Sequence, residues 1–194
     1  IFERCREAQR GFDGYLDLWA REHYKSTILT FAGSIFRIIR SHGDGAIEPR
    51  EVTIGIFSHT KPIAKGFMRQ IKYELESNEH LQDVFDDIFY ANPRKESPKW
   101  TGDEGITVKR KSNPKEATVE AHGLVDGQPT SKHFLHRQYD DVVTLESVTT
   151  PDMIAKTTSA YEMSNNLGTE GGTFGVVGTR YHFADTYGDL MKRG

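Results

Sequence analysis

The sequence has little of what several protein classes require. Its 194 residues include one cysteine, Cys5, which excludes an intramolecular disulfide framework and a cysteine-rich zinc site. No apolar run approaches the length that spans a bilayer, and the N-terminus has no signal-peptide pattern. The composition is therefore that of a soluble globular protein from a reducing compartment, and we expect no membrane partner.

The chain also has no large excess of charge of one sign. The formal net charge is −3, so no global field draws the chain towards DNA or a membrane. Any contact with nucleic acid must come from a local patch or from parts of the polypeptide outside this stretch. The length suits one well-buried domain, and the chain begins at Ile1 and ends at Gly194. We expect a single domain over residues 1–194, taken from a longer protein.

Strand-like apolar runs alternate with segments of helical periodicity. After Lys25, apolar residues recur with helical spacing at Ile28, Ala32, Ile35 and Ile39. The predicted strands are residues 15–19, 52–57, 106–110, 117–122, 134–143 and 174–179. The further predicted helices are residues 64–75, 81–88, 151–167 and 186–193. Residues 58–62 are predicted to turn, and residues 92–105 to form a long loop. This alternation predicts an α/β fold with a mainly parallel central sheet covered by helices on both faces.

Residues 18–31, LWAREHYKSTILTF, have the context of a phosphate-binding loop. A strand is followed by a charged loop, and Lys25-Ser26 opens a helix, as in the pattern G-x-x-x-x-G-K-[ST]. The glycines of that pattern are replaced, and Tyr24 stands in place of the second. We expect Tyr24 to adopt a positive φ, at a cost on the order of 1 kcal/mol. The alternative is the polar start of an ordinary helix.

Two later segments supply what an ATPase of this kind needs. Asp140 and Asp141 follow a strand-like run, where one acid can order Mg²⁺ and its neighbour can orient water. The alternative for this pair is a solvated turn. Residues 176–180, VVGTR, form a buried strand that ends in small and hydroxyl residues. Such a strand end can sense a γ-phosphate, although it can equally be a plain buried strand end.

Taken together, three segments in this order resemble a known family. WAREHYKST, YDDVVTLE and VVGTRYHFADTYGDLMKRG are similar to the ATPase domain of the large terminase subunit of tailed bacteriophages. That protein is the motor that packages viral DNA into the procapsid. The resemblance implies a three-layer P-loop NTPase fold of the ASCE (RecA-like) class and Mg-dependent ATP hydrolysis. It also implies a nucleotide-binding loop formed by Ala20, Arg21, Glu22, His23, Tyr24, Lys25, Ser26 and Thr27.

The resemblance assigns roles to residues of this loop. Lys25 would contact the β- and γ-phosphates of ATP, and Ser26 would be a ligand of Mg²⁺. Thr27 would place a hydroxyl near the α-phosphate. Arg21 would contact the γ-phosphate and respond to its loss.

The other two segments receive roles in the same way. Asp140 would hold Mg²⁺ through water. Asp141 would orient the attacking water in the place where the family has a catalytic glutamate, and Glu146 is the reserve candidate. The coupling motif would be Gly178, Thr179 and Arg180.

The resemblance also implies partners and a location. These are double-stranded viral DNA, the portal protein, the small terminase subunit and a ring of identical subunits at the procapsid portal in the host cytoplasm. A neighbouring subunit would supply an arginine, for which Arg94 and Arg110 are the candidates. The isolated domain would be monomeric, and the family's nuclease domain would lie beyond this stretch. Two other functions stay open: another ASCE ATPase such as a DNA helicase, and a degenerate module that binds nucleotide without turnover.

Overall fold

The computed structural model describes residues 2–9 and 14–193, which form seven helices, seven strands and short π- and 3-10-helical segments. The helices are α1 Phe2–Gln9, α2 Gly33–Ser41, α3 Lys61–Ser77, α4 Glu79–Val84, α5 Pro93–Glu96, α6 Pro151–Ser164 and α7 Thr186–Arg193. The strands are β1 Tyr15–Leu18, β2 Ile54–Thr60, β3 Trp100–Thr101, β4 Gly105–Ile106, β5 Val119–Asp126, β6 Phe134–Asp140 and β7 Gly168–Gly178. None of the described helices is long and apolar enough to cross a membrane.

All seven strands belong to one sheet, in the order β1-β7-β6-β2-β5-β4-β3. The first five strands of this order run parallel to one another. The two short strands β4 and β3 extend the sheet in antiparallel orientation. The carboxyl ends of β1, β7, β6 and β2 therefore lie along one edge of the sheet, which is where open α/β sheets bind ligands.

Side chains of β2 show how the sheet is covered on both faces. Ile54 and Ile56 pack into a hydrophobic cluster with residues of α2 and α3. Phe57 points the other way, into a second cluster with residues of α6 and α7. All three side chains are fully buried. A strand that is buried on both faces reads as a nearly continuous apolar run, which explains why the sequence predicts it so clearly.

Helix α3 forms for reasons that are visible in the sequence. Pro62 lies in its first turn, where a missing N–H costs nothing. Its buried residues recur every three or four positions at Ala64, Met68, Ile71 and Leu75. This spacing places them on one face against β2 and β5, as predicted.

The helix that follows β1 departs from regular α geometry. Thr27–Ala32 is a π-helical segment that continues into α2, and the N–H of Gly33 donates to the carbonyl of Ile28. This wider turn buries Leu29 and Thr30 and leaves Ala32 exposed. The helix is confirmed, and Ile35 and Ile39 of the predicted spacing pack against the cluster of α2 and α3, but Ala32 is exposed because the π-helical turn interrupts the α-helical spacing.

Several predicted boundaries are also wrong. Residues 58–60 continue β2, and α3 begins directly at Lys61 without a turn. Residues 92–105 contain α5 and β3 instead of a structureless loop. Of the strand predicted over residues 106–110, only Ile106 belongs to β4. The helices predicted over residues 151–167 and 186–193 are confirmed, the first ending in a 3-10 turn.

Candidate functional site

The loop between β1 and its helix has an unusual backbone. Glu22 has a φ of 65° and Tyr24 has a φ of 58°, both in the left-handed region. The positive φ expected for Tyr24 is therefore confirmed. The carbonyl of Tyr24 accepts a hydrogen bond from the N–H of Ile28 at 2.9 Å, so the helix starts immediately after it. Residues with a Cβ adopt this conformation rarely, and they concentrate at functional sites.

Lys25 and Ser26 reach across the sheet edge to the two acids that follow β6. The Nζ of Lys25 lies 3.2 Å from Oδ1 of Asp141. The hydroxyl of Ser26 donates to Oδ1 of Asp140 at 2.9 Å. These two pairs are separated by 116 and 114 residues in the sequence. The fold therefore brings together the two motifs that the sequence singled out.

Asp140 ends β6 and is fully buried. Its second carboxylate oxygen accepts a hydrogen bond from the hydroxyl of Thr30. Burial raises the pKa of Asp140 to about 7, although the hydrogen bond from Thr30 acts in the opposite direction. Sequence reasoning missed Thr30. The available signal was a hydroxyl four residues after Ser26, a spacing that places two side chains on the same side of a helix.

Asp141 is oriented by its own backbone. Its φ is 49°, and its N–H donates to the carbonyl of Val177 in β7 at 3.0 Å. The side chain is 38% exposed, whereas that of Lys25 is 10% exposed. Asp141 therefore has a carboxylate that both contacts a buried ammonium and is accessible to water.

The end of β7 is tied to the loop after β1. The N–H of Trp19 donates to the carbonyl of Gly178, and the hydroxyl of Thr179 donates to the carbonyl of Trp19, both at 3.1 Å. A Cβ at position 178 would overlap the phenol of Tyr187 in α7. The exposed Arg180 donates to the carbonyl of Phe183 at 2.9 Å. Two of the three predicted coupling residues, Gly178 and Thr179, are thus hydrogen-bonded to Trp19, which directly precedes the loop.

Arg21 extends from the loop to a residue that the sequence did not indicate. Its Nε donates to the hydroxyl of Tyr181 at 3.1 Å, and a second guanidinium nitrogen donates to the same oxygen. The guanidinium carbon also lies 5.4 Å from the centre of the Tyr181 ring, a cation–π distance. The signal for Tyr181 was its position two residues after Thr179.

Other predicted residues lie at the margins of this group. Glu146 is exposed, in the 3-10 turn Glu146–Val148 that follows the acids. Ala20 and Thr27 are exposed, and Nδ1 of His23 lies 2.7 Å from the carbonyl oxygen of Arg21.

The two candidate partner-facing arginines already have intramolecular contacts. Arg94 forms hydrogen bonds of 3.0 and 3.1 Å with the carboxylate of Glu76. Arg110 donates to the carbonyls of Glu116 and Pro114 at 2.8 and 3.1 Å.

The donor set suits a hard cation with few protein ligands. No group of three or more His, Cys, Asp or Glu side chains that could hold a metal ion is present in the part of the chain that the structure describes. Mg²⁺ does not need such a group, because it is usually bound through one or two carboxylates, several waters and substrate phosphates. The hydroxyl of Ser26 and the carboxylate of Asp140 are oxygen donors that meet this requirement.

No protein-family model matches the chain, and no curated protein matches it either. The function is therefore inferred from the geometry at the carboxyl edge of the sheet.

Proposed function

We propose that the chain is a Mg-dependent ATPase of the P-loop (ASCE, RecA-like) class, and that it is the ATPase domain of a large terminase subunit. The observation that carries the proposal is the pairing of Lys25-Ser26 with Asp140-Asp141 across the sheet edge. A lysine and a hydroxyl at the start of a helix, facing two adjacent acids, are the groups that hold a magnesium-bound triphosphate.

The strand order also supports the proposal, because it brings the three motifs to the ends of neighbouring strands. β7 lies between β1, which leads into the loop, and β6, which carries the acids. The segment after β7 contacts the nucleotide-binding loop through the hydrogen bond from Arg21 to Tyr181, and Thr179 contacts Trp19 directly before the loop.

The chemistry is an in-line attack of water on the γ-phosphate. Lys25 neutralises charge on the outer phosphates, and Asp141 orients the water, with Glu146 as the reserve candidate. Ser26 would be a ligand of Mg²⁺ and Asp140 would hold the ion through water, and the bound ion would offset the charge that develops on the phosphate oxygens. Loss of the γ-phosphate would release Arg21. Thr179 would pass this change on to the translocation of double-stranded DNA, with the portal protein and the small terminase subunit as partners in a ring.

A matched pair of lysine variants tests the ATPase. Lys25→Ala should abolish the binding of Mg·ATP and the release of phosphate. Lys132→Ala is the control, since it removes another lysine–carboxylate contact, 2.8 Å from Glu120, just before the opposite end of β6. The assay is equilibrium titration with ATP, followed by steady-state phosphate release with and without Mg²⁺. Full hydrolysis by Lys25→Ala would contradict the proposal.

The same assay separates the proposed function from the degenerate module. The shorter acid Asp141 and the replaced glycines of the loop favour that second candidate. A chain that binds ATP with Mg²⁺ but releases no phosphate would support it. A helicase of the same class would differ in the rest of its polypeptide, which would carry a second RecA-like domain instead of a nuclease domain.

A further inference from the structure

The contact between Arg21 and Tyr181 joins the nucleotide-binding loop to the segment after β7. The two residues are 160 positions apart in the sequence, and the hydrogen bond from Nε is 3.1 Å long. A second guanidinium nitrogen donates to the same phenol oxygen, and the guanidinium lies over the ring at 5.4 Å. The phenol therefore binds Arg21 through both its hydroxyl and its ring.

Tyr181 is the fixed member of this pair. Its N–H donates to Oδ2 of Asp185 at 3.3 Å, and Asp185 is 1% exposed. The same carboxylate caps α7 through the N–H of Gly188 at 2.9 Å. The Tyr181 ring packs against the hydrophobic cluster that includes Tyr187. Arg21 is exposed, so its side chain is the one that is free to move.

Arg21 also faces the charges of the candidate site. The hydrogen bond to Tyr181 is the main cause that raises its pKa, and the negative charge of Asp141 adds to it. Asp141 in turn contacts Lys25 at 3.2 Å. Two cations therefore lie near one acid, and only Lys25 is within ion-pair distance of it in this arrangement.

We propose that Tyr181 limits the preference of the site for a nucleoside triphosphate over a diphosphate, because it holds Arg21 until a γ-phosphate takes the guanidinium. This inference rests on the proposed function. A hydrogen bond from arginine to phosphate is charge-assisted and about twice as strong as one to a neutral partner. A triphosphate displaces the phenol, whereas a diphosphate has no group in the same place and leaves Arg21 on Tyr181.

Tyr181→Phe tests the inference, since it keeps the ring and removes only the hydroxyl. The affinity for a non-hydrolysable ATP analogue with Mg²⁺ should rise by about three- to tenfold, because the hydrogen bonds from Arg21 to the phenol oxygen no longer have to be broken. The affinity for ADP should stay the same. Calorimetric titration with each nucleotide measures the two affinities and therefore their ratio.

Two further variants sharpen the test. Tyr73→Phe is the matched control, an exposed tyrosine on α3, and it should change neither affinity. Arg21→Gln should weaken binding of the ATP analogue and leave ADP unchanged. Adding Tyr181→Phe to Arg21→Gln should then have no further effect.

The possible failures are distinct. If Tyr181→Phe leaves the ratio of the two affinities unchanged while the chain binds both nucleotides, the inference is wrong and the proposed function stands. If the unaltered chain binds neither nucleotide, both are wrong. An equal gain for ATP analogue and ADP would also overturn the inference, because it would show that the phenol does not distinguish the γ-phosphate.

Discussion

Three residues with a Cβ have left-handed backbone angles among the residues that the structure describes: Glu22, Tyr24 and Asp141. All three border the candidate site. Such conformations cost roughly 1–3 kcal/mol and persist where the surroundings enforce them. The loop therefore stores strain in the place where the usual phosphate-binding pattern would have glycine.

Tyr24→Gly should raise the free energy of unfolding by about 0.5–1 kcal/mol, because glycine adopts a positive φ without the Cβ penalty. The Tyr24 side chain is 66% exposed, so its loss removes little packing. Denaturant unfolding measures the change. Tyr73→Gly is the control: Tyr73 is 69% exposed within α3. It should lower the free energy by about 1 kcal/mol, the cost of glycine in a helix. A loss of stability in both variants would contradict the strain account.

At the scale of residues, the sequence predicts the polar side chains of the candidate site better than the residues that hold those side chains in place. Lys25, Ser26, Asp140 and Asp141 were predicted because each belongs to a short local pattern, and the structure places them together. Thr30 was not predicted, because a threonine inside a helix has many uses and its partner is 110 residues away. Tyr181 was not predicted either, because its partner Arg21 is 160 residues away in the sequence.

At the scale of elements, one carboxylate holds the segment after α3 in place. Glu76 accepts hydrogen bonds from Lys72, Arg94 and the indole of Trp100, at 2.5, 3.0 and 2.6 Å. The hydrogen bond from Arg94 is the main cause that lowers the pKa of Glu76 to about 2, and Lys72 and Trp100 contribute. Helix α5 and strand β3 are therefore joined to the end of α3 by one side chain.

This arrangement predicts an acid-dependent loss of stability. The pKa of Glu76 in the folded chain is below the ordinary glutamate value of 4.5, so its contribution to stability is complete above about pH 4.5 and falls as the pH approaches 2. Glu76→Gln should destabilise the chain by about 1 kcal/mol at pH 6, the upper end for exposed ion pairs, since Arg94 is mostly exposed. Chemical unfolding between pH 6 and 3 should show this difference shrink with acid. Glu104→Gln, at an exposed turn, should show no such trend.

Helices and strands were predictable where a periodic pattern is long. They were less predictable where contacts with distant segments determine the local structure. The pattern of α3 is regular over four buried positions, and the helix is correct. The π-helical turn of Thr27–Ala32 leaves no local signature, and it moves Leu29 and Thr30 into the interior. Strand β4 pairs with the edge of β5, and β3 pairs with β4, so the bounds of these two-residue strands depend on contacts with distant segments.

At the scale of the whole molecule, the residues of the candidate site come from the ends of three separate strands. The loop after β1, the acids after β6 and the segment after β7 meet only in the folded chain. The alternation of strands and helices predicted the α/β class and the mainly parallel sheet. It did not predict the antiparallel edge, because strand pairing is a property of distant segments.

A ligand that needs all three strand ends binds only the folded chain, so it should raise the melting temperature. At a concentration one hundred times its Kd, Mg·ATP should add about 2.7 kcal/mol of stability. For a chain of this length that corresponds to a rise of roughly 5–10 °C. A thermal scan measures it. The rise should be absent in Lys25→Ala and intact in Lys132→Ala. A rise in both variants would show that ATP binds elsewhere.

Gly178 and Tyr187 lead to an expectation about evolution. The phenol of Tyr187 occupies the space that a side chain at position 178 would need, and its hydroxyl also accepts a hydrogen bond from the N–H of Val143 at 3.3 Å. The two positions should therefore covary among homologues. Sequences with alanine or serine at 178 should have a residue smaller than tyrosine at 187, and those that keep tyrosine at 187 should keep glycine at 178.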